Sequence, residues 1–204
     1  MPAGYTRVWS GRFEYLAKAN ERLRIVIPIT FVLIVLLLYM SNRSWFRVGV
    51  VLLAVPFSLI GAFWFLHLLD YNMSLAVWVG IIALLGVDAE TGQVMLLYLD
   101  TTFDRFRREG RMRGPADLYA AIREGAVKRI RPKTMTVATD MIGLLPLLWA
   151  SGTGADVTRR LVAPLIGGIA VSFLMELLVY PVIFSIAKRW ALRKEWAAAG
   201  GVRP

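Results

Sequence analysis

Residues 75–99 read LAVWVGIIALLGVDAETGQVMLLYL, an apolar stretch whose charged and amide side chains are Asp88, Glu90 and Gln93. A helix of about 20 apolar residues is long enough to cross the hydrocarbon core of a bilayer. The stretch therefore predicts a transmembrane helix with carboxyl groups at membrane depth. Such groups are costly in lipid and normally face a partner or a watery cavity. A bundle of several membrane helices is thus the fold that this stretch demands.

Four more apolar runs accompany this one and complete the predicted bundle. We expect spans at about residues 25–41, 48–69, 74–100, 134–150 and 161–187. The predicted fold class is all-α, a polytopic transmembrane helix bundle of five spans that occupies residues 25–187. A cytoplasmic link at 101–133 and a cytoplasmic tail at 188–204 complete the arrangement.

Two segments outside the spans have regular patterns. Within residues 1–24, the first part alternates like the end of a strand, and the second part is an amphipathic helix that enters the first span. We interpret this segment as a short remnant of an extracytoplasmic domain. In the long link, one face of a predicted amphipathic helix contains Leu118, Ala121, Ile122, Ala126 and Ile130. We expect that helix to lie at the lipid headgroups rather than to bind a protein partner.

Composition narrows the class of protein. The chain has 57% hydrophobic residues, with 24 Lys and Arg against 14 Asp and Glu. Soluble domains are far less apolar, and nucleic-acid binders of similar charge are polar throughout. We therefore expect contact with membrane lipid and no nucleic-acid partner.

The cations alternate between the predicted links. The link at 101–133 carries ten Lys and Arg, the tail carries five, and the link after the first span carries two. The link after the second span has none, and the link after the fourth has two. By the positive-inside rule the cation-rich links are cytoplasmic. The amino terminus is then outside and the carboxy terminus inside.

The residue types available for metal binding and catalysis are few. The chain has no Cys and a single His, so thiolate and multi-histidine sites are not predicted. We interpret His67 as an interfacial residue at the end of a span, and most of the methionines as packing residues. No nucleophile–base pair stands out. We therefore expect no enzyme activity, no resident cofactor and no bound structural metal.

Ionisable side chains inside the spans are the main functional signal. Asp88, Glu90, Asp140 and Glu176 fall within predicted spans, and Lys133 opens the fourth. Burial favours the neutral form of a carboxyl group and a nearby ammonium favours the ionised form, so such a group can exchange protons near neutral pH. Lys133 is the cation expected for Glu90. A purely structural role, with Glu90 as a buried hydrogen-bonding group and Lys133 extended to the headgroups, stays open, and Asp88, Asp140 and Glu176 are secondary candidates.

Five motifs in order point to a known family. They are PAGYTRVWSGRFEY at 2–15, LLGVDAETGQVMLLYL at 84–99, GAVKRIRPKTMTV at 125–137, GLLPLLWASGTGADV at 143–157 and APLIGGI at 163–169. The sequence resembles the closing part of the heavy-metal efflux pumps of the resistance–nodulation–division class, the CusA/CzcA family. The resemblance implies a proton-antiporting transporter in the bacterial inner membrane, with a periplasmic amino terminus. Residues 1–24 are then the end of the periplasmic porter domain.

The resemblance also carries over residue roles and partners. It implies that Glu90 and Lys133 belong to a proton relay whose third member is an Asp in the first half of the pump. The pair favours the copper/silver subgroup, with Cu(I) or Ag(I) as the transported ion, whereas Thr158 stands where that subgroup has a Met. The implied partners are the amino-terminal half of the pump, two further copies in a homotrimer, a periplasmic membrane-fusion adaptor and an outer-membrane channel. A divalent-cation pump fragment and an inert truncated remnant are the alternatives.

Overall fold

The fold was determined as a computed structural model, which describes residues 12–198. It contains five α-helices: α1 (Arg12–Asn42), α2 (Trp45–Leu68), α3 (Leu75–Arg108), α4 (Pro115–Leu144) and α5 (Ala155–Ala198). A short 3-10 segment, Leu145–Trp149, follows α4. The described part of the chain is therefore all-helical, as predicted. The predicted strand near the amino terminus lies outside the described residues.

Within residues 12–198, four helices are long and apolar enough to cross a membrane. They contain the candidate spans Glu21–Asn42, Trp45–Leu68, Leu75–Arg108 and Ala155–Leu192. The predicted fourth span at 134–150 is divided between the end of α4 and the 3-10 segment, where Pro146 lies. Four of the predicted spans thus coincide with helices that could cross a membrane by their length and composition, and the fifth stays a prediction. The predicted link at 101–133 is largely helical, because α3 continues to Arg108 and α4 begins at Pro115.

Polar contacts identify which helix ends lie together. At one end of the bundle, Asp100 on α3 pairs with Arg47 on α2 at 2.8 Å and with Lys188 on α5 at 3.2 Å. At the other end, Arg160 near the start of α5 donates to the carbonyl oxygen of Asn72, which precedes α3. Helix α2 therefore runs antiparallel to α3 and α5, as in a bundle of membrane crossings.

Helix α4 connects the two ends of the bundle, from the end near Asp100 to the end near Asn72. Leu118, in the first turn of α4, packs with Phe103 and Leu192 in the core cluster near the first end. Leu148, in the 3-10 segment, packs against Leu66 and Val77 near the other end. The segment from α4 to the 3-10 turn thus runs the length of the bundle.

The first part of the apolar face of α4 is covered by protein. Leu118, Ala121 and Ile122 are all buried, whereas Ile130 is 43% exposed, and the position of this helix at the lipid headgroups stays a prediction. On its polar side, Glu124 accepts from Arg105 of α3 and pairs with Lys128. These cations, Lys128 first, hold the pKa of Glu124 below its ordinary value. The amphipathic pattern was thus correctly recognised, and the first part of its apolar face packs on the bundle.

Helices α2 and α5 approach each other most closely at a pair of glycines. A Cβ atom placed on Gly61 would lie 2.4 Å from the carbonyl oxygen of Gly167, and one on Gly167 would lie 2.4 Å from the Cβ atom of Phe65. Small residues at helix contacts let two backbones meet in this way, which is a common device in membrane bundles. The contact sets the distance between the two helices that enclose the polar site described below.

We expect Gly61→Ala to destabilise the bundle by about 1–3 kcal/mol, because the added methyl group meets rigid backbone and the helices must separate. Thermal unfolding of the purified chain in detergent measures this loss. Gly49→Ala is the matched control, since a Cβ atom on Gly49 has nothing within 4 Å. Equal unfolding temperatures for Gly61→Ala and the wild type would contradict the close α2–α5 contact.

Candidate functional site

A buried ion pair joins α4 to α5 inside the bundle. The ammonium of Lys133 contacts Glu176 Oε2 directly, and the two side chains are 2% and 0% exposed. Lys133 lies one residue after Pro132, within the continuous helix α4, and Glu176 lies on α5 between two prolines of that helix. A charged pair taken out of water is retained only when its geometry and its further hydrogen bonds are good.

Hydroxyl groups complete the surroundings of the Glu176 carboxylate. Thr91 Oγ1 of α3 lies 2.6 Å from Glu176 Oε1, and Ser172 Oγ, one turn earlier on α5, donates to the same oxygen at 3.3 Å. Glu176 therefore has polar partners on three helices: its own, α3 and α4. Both oxygens of this buried carboxyl group thus have hydrogen-bond partners, as is usual for buried polar groups.

A second carboxyl group lies beside this pair without a partner of its own. Asp88, one turn before Thr91 on α3, is 1% exposed, and neither of its carboxylate oxygens has a hydrogen-bond partner among the described residues. The hydroxyls of Ser58 and Ser172 lie next to it. Ser58, however, donates to the carbonyl oxygen of Val55, and Ser172 donates to Glu176.

Tyr180 closes the site on the side of α2. It is fully buried, and its hydroxyl donates to the carbonyl oxygen of Val51 at 3.1 Å. A Cβ atom on Gly92 would lie 2.8 Å from that hydroxyl, so Gly92 is the small residue that admits the Tyr180 ring. At Gly86, six residues earlier on α3, a Cβ atom would in contrast meet nothing within 4 Å.

Glu90 lies away from this cluster. It is exposed on α3, on the stripe that also contains Val79, Ala83, Gly86 and Leu97. The sequence-based pairing of Glu90 with Lys133 therefore needs a correction: the partner of Lys133 in the structure is Glu176. The physical reason is that Asp88 and Glu90 are about 200° apart around the helix, so that one faces the core when the other faces away.

Asp140 is also separate from the cluster. It lies seven positions beyond Lys133 on α4 and is half-buried. Among the predicted site residues, the structure brings Lys133, Glu176 and Asp88 together and leaves Glu90 and Asp140 outside. Within residues 12–198, no three His, Cys, Asp or Glu side chains are arranged to hold a metal ion.

Sequence reasoning overlooked the neutral members of the site, which are Ser58, Thr91, Ser172 and Tyr180. A usable signal existed, because polar residues three or four positions apart on a helix share a face. Asp88 and Thr91 have this spacing, as do Ser172 and Glu176. Carboxyl groups with hydroxyl neighbours at such spacing were stronger core candidates than Glu90.

An acid–base cluster enclosed by apolar helices is typical of ion-coupled membrane transporters. Comparison with known proteins agrees with this class. The sequence model of the AcrB/AcrD/AcrF family matches residues 1–188. The chain is 40% identical over 185 residues to the putative cation efflux system protein SilA of Salmonella typhimurium, covering 90% of this chain and 18% of the relative.

Two further comparisons give the same result. The cation efflux system protein CusA of Escherichia coli K12 is 40% identical over 188 residues, with 90% of this chain and 18% of CusA covered. A crystal structure of a heavy-metal efflux pump superimposes with a TM-score of 0.73 at 26% identity, over 92% of this chain and 18% of the pump. The chain belongs to the AcrB/AcrD/AcrF family, and its relatives are the CusA/CzcA-type heavy-metal efflux pumps of the resistance–nodulation–division class. It spans about a fifth of the length of these relatives.

Proposed function

We propose that this chain is the carboxy-terminal membrane part of a proton-driven heavy-metal efflux pump of the bacterial inner membrane. The supporting observation is the Lys133–Glu176 pair with Asp88 beside it, enclosed in an apolar helix bundle. If these residues served only helix packing, apolar side chains at the same positions would give a more stable bundle, because buried ionic groups are costly. Titratable groups held at membrane depth are the parts that proton antiport requires.

Glu90 and Lys133 are the proposed relay residues, and the position of Glu90 indicates a missing neighbour. The α3 stripe that carries Glu90 is otherwise apolar, with Val79 47% and Leu97 59% exposed. A carboxylate that faced lipid there would be expensive. We propose that the amino-terminal half of the pump packs on this stripe and supplies the relay Asp. Lys133 would then lie between an inner carboxylate, Glu176, and an outer one, Glu90.

The proposed cargo is a monovalent soft metal ion, Cu(I) or Ag(I). Support comes from the presence of both Glu90 and Lys133 and from the likeness to SilA and CusA. CzcA of Cupriavidus metallidurans, a cobalt-zinc-cadmium resistance protein, is 38% identical, so overall identity does not decide between the subgroups. Thr158 stands where the copper/silver subgroup has a Met, so the metal ion would follow a route that lacks this thioether ligand. A divalent cation is the second candidate for the cargo. The proposed assembly is a homotrimer with a membrane-fusion adaptor and an outer-membrane channel.

A chimera tests this function against an inert remnant. Residues 1–188 replace the aligned segment of E. coli CusA, and growth on silver is measured in a strain that lacks its own copper/silver pump. We expect silver resistance, because the relay pair and the helix contacts are retained. Growth on zinc but not on silver would favour the divalent candidate. A chimera that assembles in the membrane and confers neither resistance would contradict the transport proposal.

We propose a periplasmic amino terminus and a cytoplasmic carboxy terminus on the basis of the cation distribution. A reporter enzyme that is active only in the periplasm should be silent when fused after Trp190 and active when inserted into the loop between α2 and α3. That loop holds no Lys or Arg between Leu69 and Ser74. The reverse pattern of activity would contradict the orientation.

A further inference from the structure

We propose that Asp88 is a proton-binding site of this bundle, occupied at neutral pH and distinct from the relay residue Glu90. The site is formed by the Asp88 carboxyl group, the hydroxyls of Ser58 and Ser172, and the Lys133–Glu176 pair. It goes beyond the proposed transport function, because the protonation of Asp88 can be measured without any metal export.

The charge of the cluster is the first argument. Two carboxyl groups and one ammonium lie together, and Lys133 is in contact with Glu176 rather than with Asp88. With both acids ionised, these three side chains, which are at most 2% exposed, would hold one uncompensated negative charge. Arg129, the next cation on α4, lies over the ring of Tyr98 instead. An unpaired buried charge is so unfavourable that the group normally takes the neutral form instead. One proton on Asp88 makes the cluster neutral.

Hydrogen bonding supplies the second argument. An ionised carboxylate in a dry site needs donors, whereas a protonated one also brings a donor of its own. The two hydroxyls beside Asp88 direct their hydrogens elsewhere, Ser58 to Val55 and Ser172 to Glu176. Their oxygens retain lone pairs that can accept. A hydrogen bond between Asp88 and either serine oxygen therefore needs a hydrogen from Asp88 itself, and a protonated Asp88 carries it.

A proton fits the site better than a metal cation does. Sodium and similar hard cations need several oxygen atoms converging at short range. The Asp88 oxygens, in contrast, make no hydrogen bond to a described residue, and the hydroxyls of Ser58 and Ser172 are the polar groups beside them. A proton needs one carboxyl oxygen and at most one acceptor, which either serine oxygen can provide.

The remaining charged and titratable groups around the site come from three helices. Helix α5 contributes Glu176 and Tyr180, and α4 contributes Lys133, with Arg129 one turn before it. Helix α2 contributes only the neutral Ser58. When Asp88 releases its proton, a second carboxylate competes for the Lys133 ammonium. Protonation of Asp88 therefore controls how firmly Lys133 is held by Glu176.

Infrared spectroscopy of the 204-residue chain in lipid vesicles tests the proposal, with Glu90→Gln as the background so that Glu90 does not contribute. At pH 7 we expect a carboxylic-acid carbonyl band that shifts in deuterium oxide and disappears in Asp88→Asn. In Lys133→Met the band should grow about twofold, because Glu176 loses its cation and binds a proton as well.

A second variant decides the matter even if Asp88→Asn does not assemble. In Glu176→Gln the cluster holds one acid and one ammonium, so it is neutral without a proton, and the band should be lost. Absence of the band at pH 7 in the background chain would overturn the proposal. So would its persistence in Asp88→Asn or Glu176→Gln. Loss of the band on adding sodium chloride at constant pH would identify a cation site and would equally contradict it.

Discussion

Lys133→Met is expected to abolish silver export by the CusA chimera and to destabilise the bundle at pH 8 by about 3–5 kcal/mol, the usual consequence of removing one partner of a buried ion pair. The reason is that Glu176, which is 0% exposed, loses the contacting ammonium, so that at pH 8 it must either hold an uncompensated charge or take up a proton from a solution that holds few. Thr91 and Ser172 still donate to it, but hydroxyls do not neutralise a charge. Denaturant unfolding in detergent measures the stability, and silver uptake by inverted vesicles measures the export.

The loss of stability should depend on pH. A protonated Glu176 needs no cation, so the difference between Lys133→Met and the wild type should shrink when the unfolding is repeated at pH 5. The double variant Lys133→Met/Glu176→Gln should recover most of the stability at pH 8, because an amide costs less to bury than an unpaired carboxylate. It should still fail to export silver.

Lys128→Met is the matched control for this series. Lys128 lies on the same helix, and its side chain is 49% exposed in a surface pair with Glu124. Exposed pairs contribute at most about 1 kcal/mol, so both stability and export should stay near the wild type. Wild-type stability of Lys133→Met at pH 8 would show that the Lys133–Glu176 pair is absent from the folded chimera.

Glu90→Gln is expected to stop silver export while leaving stability unchanged. Glu90 is exposed within this chain and contributes nothing to the buried cluster, so its loss removes a titrating group without disturbing the packing. Glutamine keeps the size and hydrogen-bonding capacity of the side chain, and only the proton exchange is lost. Lys133→Arg should likewise retain little export, because a guanidinium does not release its proton near neutral pH.

Asp140→Asn is the control for Glu90→Gln. It also removes a carboxyl group from a membrane helix, but Asp140 lies outside the cluster, seven positions from Lys133. We expect a milder loss of export than in Glu90→Gln. Equal losses in the two variants would indicate that export responds to any change of intramembrane charge, and the relay role of Glu90 would be withdrawn.

Hydropathy predicted the helices well, because the length of an apolar run is a local property. The first three spans and the last one match α1, α2, α3 and α5. The end of α4 was harder to predict, since residues 134–150 change from an α-helix to a 3-10 turn. The packing of its first part against the bundle was not predicted, because an amphipathic face packs equally well on lipid or on protein. Only the neighbouring helices α3 and α5 decide between them.

The site was predicted in its residue types but not in its pairing. Lys133 and the intramembrane acids were visible in the sequence, yet their partners depend on how α3 and α4 are rotated relative to α5. That rotation follows from tertiary contacts such as Gly80 of α3 against Leu161 of α5, which no single run of sequence reveals. The polar spacing of Asp88 with Thr91 was the local clue to the orientation of α3, and it was not used.

The most direct test of the account follows protons and silver together. Vesicles containing the CusA chimera are loaded with a pH-sensitive dye, silver is added outside, and both fluxes are followed in the wild-type and Glu90→Gln forms. The account predicts that silver moves in one direction while protons move in the other, and that both movements cease in Glu90→Gln. Silver transport without proton movement, or coupled transport that survives in Glu90→Gln, would contradict the central claim.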